Sequence, residues 1–416
     1  MYYLKKLITN NLQTVKNITY LSLIQFLTII LPFITYPYFI KTLGFSNYGK
    51  VIFYQTIITY ISMIINYGFN FSGVRAITTA KTVSEESEII TSIYLIKFII
   101  FLLVLIIISL LFFFIKNIDI LLLLASLSLV FNELLFPQWY FQAKEKLKII
   151  TILTFAVRCL SLVLMFILIT EKADYYLVPL LNGIGFFIIG VISFFLILKD
   201  GTKLKFPDFN LIFNLFKEST HYFLTSLIIS IKNKTDLIII GIFINKEMVV
   251  AYDLALKIHT MSLMPINIIN NAVFSKMSKQ RNKKFLIQLS IFTFLISLIG
   301  IALVINILPF IVNILSDGQK SQLVIKLATI LILSLPFFSI STTLSQNGII
   351  VFGYSKYNLY GAISTTIIYL LGILLLFILE LQNNIYSYAY LTVFIFLYEM
   401  SYRLILCKRI GLLNFK

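Results

Sequence analysis

The stretch that decides the fold covers residues 221–278 and reads HYFLTSLIISIKNKTDLIIIGIFINKEMVVAYDLALKIHTMSLMPINIINNAVFSKMS. Its first half is apolar at both ends and charged in the middle. Lys217 and Lys246 bracket a predicted helix of about 44 Å at 1.5 Å per residue, which is roughly a bilayer with its headgroup zones. The sequence therefore predicts a membrane-spanning helix with charges at its centre.

Those central charges are Lys232, Lys234 and Asp236. Sliding the helix to bring them to the surface would leave only the LIIIGIF segment in hydrocarbon, which is too short to span a bilayer. Lys232 lies about 22 Å from Lys217, farther than a snorkelling side chain can reach. These charges are therefore predicted to face protein or water.

The next predicted helix carries three more ionisable residues: Asp253, Lys257 and His259. Asp253 and Lys257 are one helical turn apart and lie on one face. Ionisable groups inside a membrane are costly, and they are candidates for function by default.

The composition of the whole chain supports a membrane protein. Its 416 residues are 59% hydrophobic and its mean hydropathy is +0.96, more apolar surface than a soluble domain of this size can bury. The apolar runs are about 20 residues or longer without alternating polarity, which favours helices over barrel strands. We therefore predict an all-α integral membrane protein. The twelve predicted spans are 17–40, 48–72, 89–115, 119–142, 148–170, 174–198, 219–244, 247–273, 285–315, 322–350, 357–380 and 385–407.

The longest loop, KDGTKLKFPDFNLIFNLFKE, divides these spans into two groups of six. Six spans per group give both groups the same orientation, as in parallel repeats. The predicted domains are a cytoplasmic interfacial segment (1–16), an N-terminal six-helix lobe (17–198), a cytoplasmic linker (199–218), a C-terminal six-helix lobe (219–407) and a cytoplasmic tail (408–416).

The distribution of basic residues predicts the orientation. Assigning alternate loops to one side places 22 of the 34 Lys and Arg there, seven on the other side and five inside spans. In this count Arg403 belongs to the C-terminal basic group. Since cytoplasmic loops are enriched in Lys and Arg, both termini are predicted to be cytoplasmic. Topology thus accounts for most of the basic excess, and no nucleic-acid partner is predicted.

Charges inside the spans indicate where function could lie. The five cations are Lys97, Arg158, Lys232, Lys234 and Lys257. The three acids that lie clearly inside the predicted spans are Glu133, Asp236 and Asp253. Local i,i+4 spacing would pair Lys232 with Asp236 and Asp253 with Lys257. A surplus of cations in a low-dielectric cavity favours a bound anion such as a phosphate group. The alternative is that these charges pair across helices as structural contacts.

The sequence contains no nucleotide-binding, zinc-protease or hydrolase motif, so no enzyme, cofactor or metal site is predicted. An ion gradient is then the intrinsic energy source, and its candidate carriers are Asp236, Asp253, Glu133 and His259. Each could instead be a polar packing residue. Cys159 and Cys407 fall within or at the end of spans and suggest neither a disulfide nor a zinc site.

Four stretches resemble the Wzx-type O-antigen and polysaccharide flippases, in the superfamily that also contains multidrug exporters of the MATE type. They read LTIILPFITYPYFIKTLGFSNYGKV, INYGFNFSGVRAI, FPQWYFQAKEKLKIITILTFAVR and NKTDLIIIGIFINKEMVVAYDLALKI. The resemblance implies two six-helix bundles in a V shape with alternating access. The matching polar residues are Asn66, Gly68, Arg75, Trp139, Arg158, Asp236, Tyr252 and Lys257.

The resemblance also implies the cargo, an undecaprenyl-diphosphate-linked oligosaccharide repeat unit carried across the bacterial inner membrane. Other partners would be membrane lipids, a polysaccharide polymerase and a chain-length regulator. The predicted substrate-binding cations are Arg158, Lys232, Lys234, Lys257, Lys97 and Arg75, with the first three expected to line one cavity. Two alternatives stay open on the same sequence: a drug or organic-cation antiporter, which would need an acidic cavity, and a membrane glycosyltransferase or polymerase, which would need a large catalytic loop.

Overall fold

The structure is a computed structural model that describes residues 12–112 and 118–413, with side chains described for residues 30–110 and 118–413. Most of the predicted interfacial segment (1–16) and the last residues of the predicted tail (408–416) lie outside the described residues.

The described chain is built of helices joined by short connections. In chain order the α-helices are α1 Leu12–Asn66, α2 Phe69–Thr79, α3 Val83–Phe112, α4 Ile120–Leu127, α5 Phe131–Leu135, α6 Gln138–Ala143, α7 Leu147–Leu168, α8 Leu177–Lys199, α9 Phe209–Phe243, α10 Lys246–Gln280, α11 Lys283–Leu315, α12 Ser321–Ile332, α13 Leu335–Thr343, α14 Ser355–Ile378 and α15 Ile385–Arg409. Short 3-10 helices cover Ser128–Val130 and Lys172–Tyr176, and a π-helix covers Leu344–Ile350.

Each of the twelve predicted spans has a helical counterpart, which confirms the all-α class. Among the described residues, nine helices are long and apolar enough to cross a membrane. Helices α9 and α10 are not among them, because they carry the charged residues singled out above. Large apolar side chains on the other helices are exposed, while Lys97, Asp236 and Asp253 are buried. This distribution places polar groups inside and apolar groups where lipid would lie.

The chain folds as two compact units, one ending at Leu227 and the other beginning at Ile228. Helix α9 crosses this boundary, so its first part belongs to the first unit and its remainder to the second. It begins at Phe209, ten residues before the span predicted from the sequence. The predicted domain limits stay a prediction.

Two helix breaks occur early in the first unit. Helix α1 is interrupted at Gly44, whose φ of 75° and ψ of 166° lie outside the helical region, and the two parts correspond to the first two predicted spans. The second predicted span, 48–72, is itself broken at Tyr67 and Gly68, which have φ of 47° and 82°. The sequence did not predict that second break as a helix end.

A third break divides the predicted span 119–142, because the chain leaves helical geometry at Phe136 before Pro137. Proline has no N–H, so the carbonyl four residues earlier loses its helical donor. That carbonyl belongs to Glu133, and it accepts a hydrogen bond of 2.8 Å from Lys97 Nζ on α3. Tyr94, one turn earlier on α3, donates to the Leu135 carbonyl at 3.2 Å. Helix α3 therefore caps the broken helix with two side chains.

Candidate functional site: charged groups inside the helices

The first charged group of the second unit joins α9 to α15. Lys232 Nζ on α9 donates to Glu399 Oε1 on α15 at 2.5 Å, and Arg403 Nη1 lies 3.9 Å from the other oxygen of Glu399. Arg403 also donates to Ser341 Oγ at 2.6 Å. The predicted pair between Lys232 and Asp236 was wrong, since the lysine reaches a carboxylate on another helix. We call Lys232, Glu399 and Arg403 the Glu399 group.

The second group surrounds Asp236, whose side chain is buried. The hydroxyl of Tyr252 on α10 donates to Asp236 Oδ2 at 3.0 Å, and the hydroxyl of Tyr369 on α14 donates to Oδ1. Thr392 on α15 lies 3.3 Å from the Tyr252 hydroxyl. Asp236 is thus held by neutral hydroxyls from two other helices.

The third group centres on Asp253. As predicted, Lys257 Nζ pairs with Asp253 Oδ2 one turn away, at 3.2 Å. Lys234 on α9 interacts electrostatically with both Asp253 and Lys257. The side chain of Asp253 is 7% exposed and that of Lys257 is 30% exposed. One buried carboxylate therefore interacts with two lysines from two helices. We call these three residues the Asp253 group.

His259 lies on α10 in the same unit. Its Nε2 is 2.7 Å from Ser334 Oγ, and its ring is 5.6 Å from that of Phe396. Lys232 Nζ lies 5.6 Å from the centroid of the same Phe396 ring. His259 is buried and has a hydroxyl partner, which makes it a satisfied polar residue of the helix packing.

In the first unit, the Glu133 carboxylate accepts hydrogen bonds from three carboxamides. Asn132 donates at 2.9 Å, Asn70 donates at 3.5 Å and Asn66 also donates. Lys97 is 1% exposed and binds the carbonyl of the same residue. At the helix break the carboxylate is thus held by carboxamides and the lysine by the backbone carbonyl of the same residue, which gives Lys97 the partner that it lacks in its own helix.

The other two predicted binding cations have different surroundings. Arg75 on α2 is exposed and pairs with Glu218 at 2.9 Å, within the first unit. Arg158 on α7 is partly exposed. Arg158 belongs to the first unit and Lys232 and Lys234 to the second, and a shared cavity for the three stays a prediction.

The sequence reading missed Glu399 and Arg403. Both lie inside the span predicted at 385–407, in the segment EMSYR, and their i,i+4 spacing was the signal that could have found them. Arg403 had been counted with the C-terminal basic residues. With this pair included, the spans hold six of these cations and four of these acids, so the surplus of two cations equals the one expected from five and three. The second unit contains four of those cations and three of those acids.

Among the residues that the structure describes, no three His, Cys, Asp or Glu side chains lie close enough to hold a metal ion. Cys159 and Cys407 are free thiols.

Comparison with known proteins gives the family. Residues 14–280 match the family model described as polysaccharide biosynthesis protein. The chain belongs to this family. A candidate O-antigen transporter of Shigella dysenteriae is 27% identical over 292 residues, which are 69% of this chain and 73% of that protein. A second candidate O-antigen transporter, from Escherichia coli strain K12, is 27% identical over 290 residues, or 65% of this chain and 66% of that protein.

Solved structures show the same fold at low sequence identity. The lipid II flippase MurJ in an inward closed conformation superposes with a TM-score of 0.73 at 18% identity, covering 94% of this chain and 87% of MurJ. An inward-facing MATE multidrug transporter of the MOP superfamily gives 0.63 at 14% identity, covering 92% of this chain and 98% of that one. The chain is therefore a multi-pass helical membrane protein with the fold of this superfamily, as the sequence resemblance implied.

Proposed function

We propose that the protein is a flippase that moves undecaprenyl-diphosphate-linked oligosaccharide repeat units, such as those of O-antigen, from the cytoplasmic to the periplasmic leaflet of the bacterial inner membrane. The observation that carries the proposal is the family match over residues 14–280, together with relatives named as O-antigen transporters. The charged groups inside the helices add a chemical argument for an anionic cargo.

Cations outnumber carboxylates in two of the charged groups. The Glu399 group contains a lysine and an arginine around one carboxylate, and the Asp253 group contains two lysines around one carboxylate. Each is therefore formally positive by one charge. A diphosphate is a suitable partner, because Arg and Lys donors form strong charge-assisted hydrogen bonds to phosphate oxygens. An organic cation would be repelled, which disfavours a drug antiporter on this fold.

For the energy source we propose a proton or cation gradient acting through Asp236 or Asp253. Both are buried carboxylates. A buried carboxylate can bind or release a proton or cation when its surroundings change. Asp236 is the more suitable candidate because its described hydrogen-bond partners are neutral hydroxyls, which leaves its charge available to an external ion. Asp253 is already paired with Lys257.

We further propose that both termini are cytoplasmic, on the ratio of 22 to seven basic residues between the two sides. In this orientation the basic run 276–284 faces the cytoplasm, where membrane lipids and incoming substrate carry negative charge. A polysaccharide polymerase and a chain-length regulator would receive the product on the opposite side. Active periplasmic phosphatase fused after Lys284 would contradict this orientation.

Gene deletion tests the proposed function in cells. Deleting the gene should abolish surface polysaccharide and cause lipid-linked repeat units to accumulate in the inner leaflet, and plasmid-borne wild-type protein should restore export. The matched control is a deletion strain that expresses the Lys205→Gln variant, because this exposed lysine pairs with Glu88 and is not among the predicted binding residues. Normal surface polysaccharide in the deletion strain, with no second copy of the gene, would contradict the proposal.

A further inference from the structure

The second unit has a polar surface whose residues belong to none of the charged groups described above. It begins at the π-helix Leu344–Ile350, which follows α13. A π-helix of seven residues is unusual, since most π-helices occur as single-turn bulges, frequently at functional sites. It has more residues per turn than an α-helix, so consecutive side chains leave it at smaller angular steps. Several neighbouring residues can then point over one face.

Three consecutive residues of this π-helix make polar contacts with two other helices. Ser345 donates to Asn358 Oδ1 on α14 at 2.7 Å, and Gln346 donates to Asn271 Oδ1 on α10 at 2.7 Å. Asn347 donates to Asn270 Oδ1 on α10 at 2.9 Å. The segment thus arranges carboxamides and a hydroxyl from three helices in one place.

These groups have hydrogen-bonding capacity left for a ligand. Asn271 is exposed, and Gln346 and Asn358 are partly exposed. Each carboxamide offers two N–H donors and two acceptor lone pairs, of which the contacts above use only a part. Asn347 is fully buried, and its Oδ1 has no hydrogen-bond partner in the described part of the chain.

Exposed tyrosines follow directly in the chain. Tyr354, Tyr357 and Tyr360 are 37%, 41% and 56% exposed, and their ring centroids are 6.2 Å and 6.1 Å apart in sequence order. The Tyr357 carbonyl accepts a hydrogen bond of 3.0 Å from the Tyr402 hydroxyl on α15, which fixes the start of α14. The aromatic rings are therefore held on a supported segment next to the carboxamides.

This combination matches the chemistry of a carbohydrate. Sugar hydroxyls act as both donors and acceptors and pair well with carboxamides. The C–H faces of a pyranose ring carry slight positive charge and pack against the electron-rich face of an aromatic ring. We infer that Gln346, Asn271 and Asn358, with Tyr357 and Tyr360, contact the oligosaccharide of the lipid-linked substrate. We call this set the carboxamide–tyrosine surface.

This inference rests on the proposed function and deepens it by assigning the recognition of the glycan to particular residues. The charged groups described above carry no sugar-specific chemistry, because phosphate is common to every carrier lipid. The carboxamide–tyrosine surface would therefore distinguish one repeat unit from another, while the cations would hold the diphosphate.

The experiment measures binding of two probes to purified full-length protein. One probe is undecaprenyl diphosphate bearing the repeat unit of the host cell, and the other is bare undecaprenyl diphosphate. The variants are Gln346→Ala, Tyr357→Ala, Tyr360→Ala and the conservative Tyr360→Phe. The matched control is Tyr390→Ala, which removes a tyrosine of similar exposure, 59%, from α15 of the same unit.

The expected result is that each alanine variant weakens binding of the glycan-bearing probe about three- to tenfold, as for one lost hydrogen bond or ring contact. Binding of the bare probe should not change, Tyr360→Phe should bind close to the wild type, and Tyr390→Ala should have no effect. Unchanged preference for the glycan-bearing probe in all three alanine variants would overturn the inference and assign the tyrosines to the aromatic belt of the membrane interface. Failure of the wild-type protein to bind either probe would overturn the proposed function itself.

Discussion

Replacing Glu399 by glutamine should destabilise the second unit strongly. The carboxylate lies 2.5 Å from Lys232 Nζ and 3.9 Å from Arg403 Nη1. The three side chains are 11%, 20% and 18% exposed, so water can replace little of the lost charge. Removing one member of a buried ion pair typically costs about 3 to 5 kcal/mol. Since a glutamine can still accept one hydrogen bond, we expect a loss of about 3 kcal/mol in the free energy of unfolding.

The measurement is reversible unfolding of the purified protein in lipid bicelles. An exposed pair gives the matched control: Lys320 and Glu247 are 33% and 41% exposed, so Glu247→Gln should cost about 0 to 1 kcal/mol. Adding Lys232→Met to Glu399→Gln should recover part of the loss, because the uncompensated lysine is then removed. A Glu399→Gln variant as stable as Glu247→Gln, or a double variant with no recovery, would refute the assignment of these residues to one buried group.

Three other variants test other parts of the molecule. Gly68→Ala should lower the free energy of unfolding more than Gly353→Ala. Both positions have positive φ, so the backbone strain is similar. A Cβ at Gly68 would lie 2.8 Å from backbone atoms of α9, whereas a Cβ at Gly353 would meet nothing within 4 Å. Equal losses in unfolding would contradict this. Lys97→Met should cost about 1 to 3 kcal/mol by leaving the Glu133 carbonyl buried without a donor, and an unchanged unfolding midpoint would show that the helix break needs no cap. Asp236→Asn should abolish gradient-driven transport in a protein that still folds and inserts, and wild-type transport by a stable variant would exclude Asp236 as the ion carrier.

The helices were the predictable part of this protein. Long apolar runs have few alternatives to a helix in a membrane, so each of the twelve predicted spans appears as a helical segment. Interruptions within them were harder to predict. The break at Pro137 has a local cause in the missing N–H, whereas the break at Gly68 depends on how closely α9 approaches, with a Cβ there only 2.8 Å from the Ser219 carbonyl oxygen.

The pairing of the charges could be predicted only where it is local. The Asp253 to Lys257 contact follows from i,i+4 spacing and was confirmed. The same rule failed for Lys232, because its partner Glu399 lies 167 residues away in sequence and only the tertiary packing brings the two helices together. The π-helix Leu344–Ile350 was likewise invisible to apolar periodicity, since it continues a predicted span without a change of composition.

Transport by the purified protein tests the central claim most directly. The protein is reconstituted into proteoliposomes with undecaprenyl-diphosphate-linked repeat units in one leaflet, a proton or sodium gradient is imposed, and a membrane-impermeant reagent reports the glycan that reaches the other leaflet. We predict gradient-dependent movement of the glycan in the wild-type protein and its loss in the Asp236→Asn variant. Folded wild-type protein that moves no glycan under either gradient, or that instead exchanges an organic cation, would contradict the account.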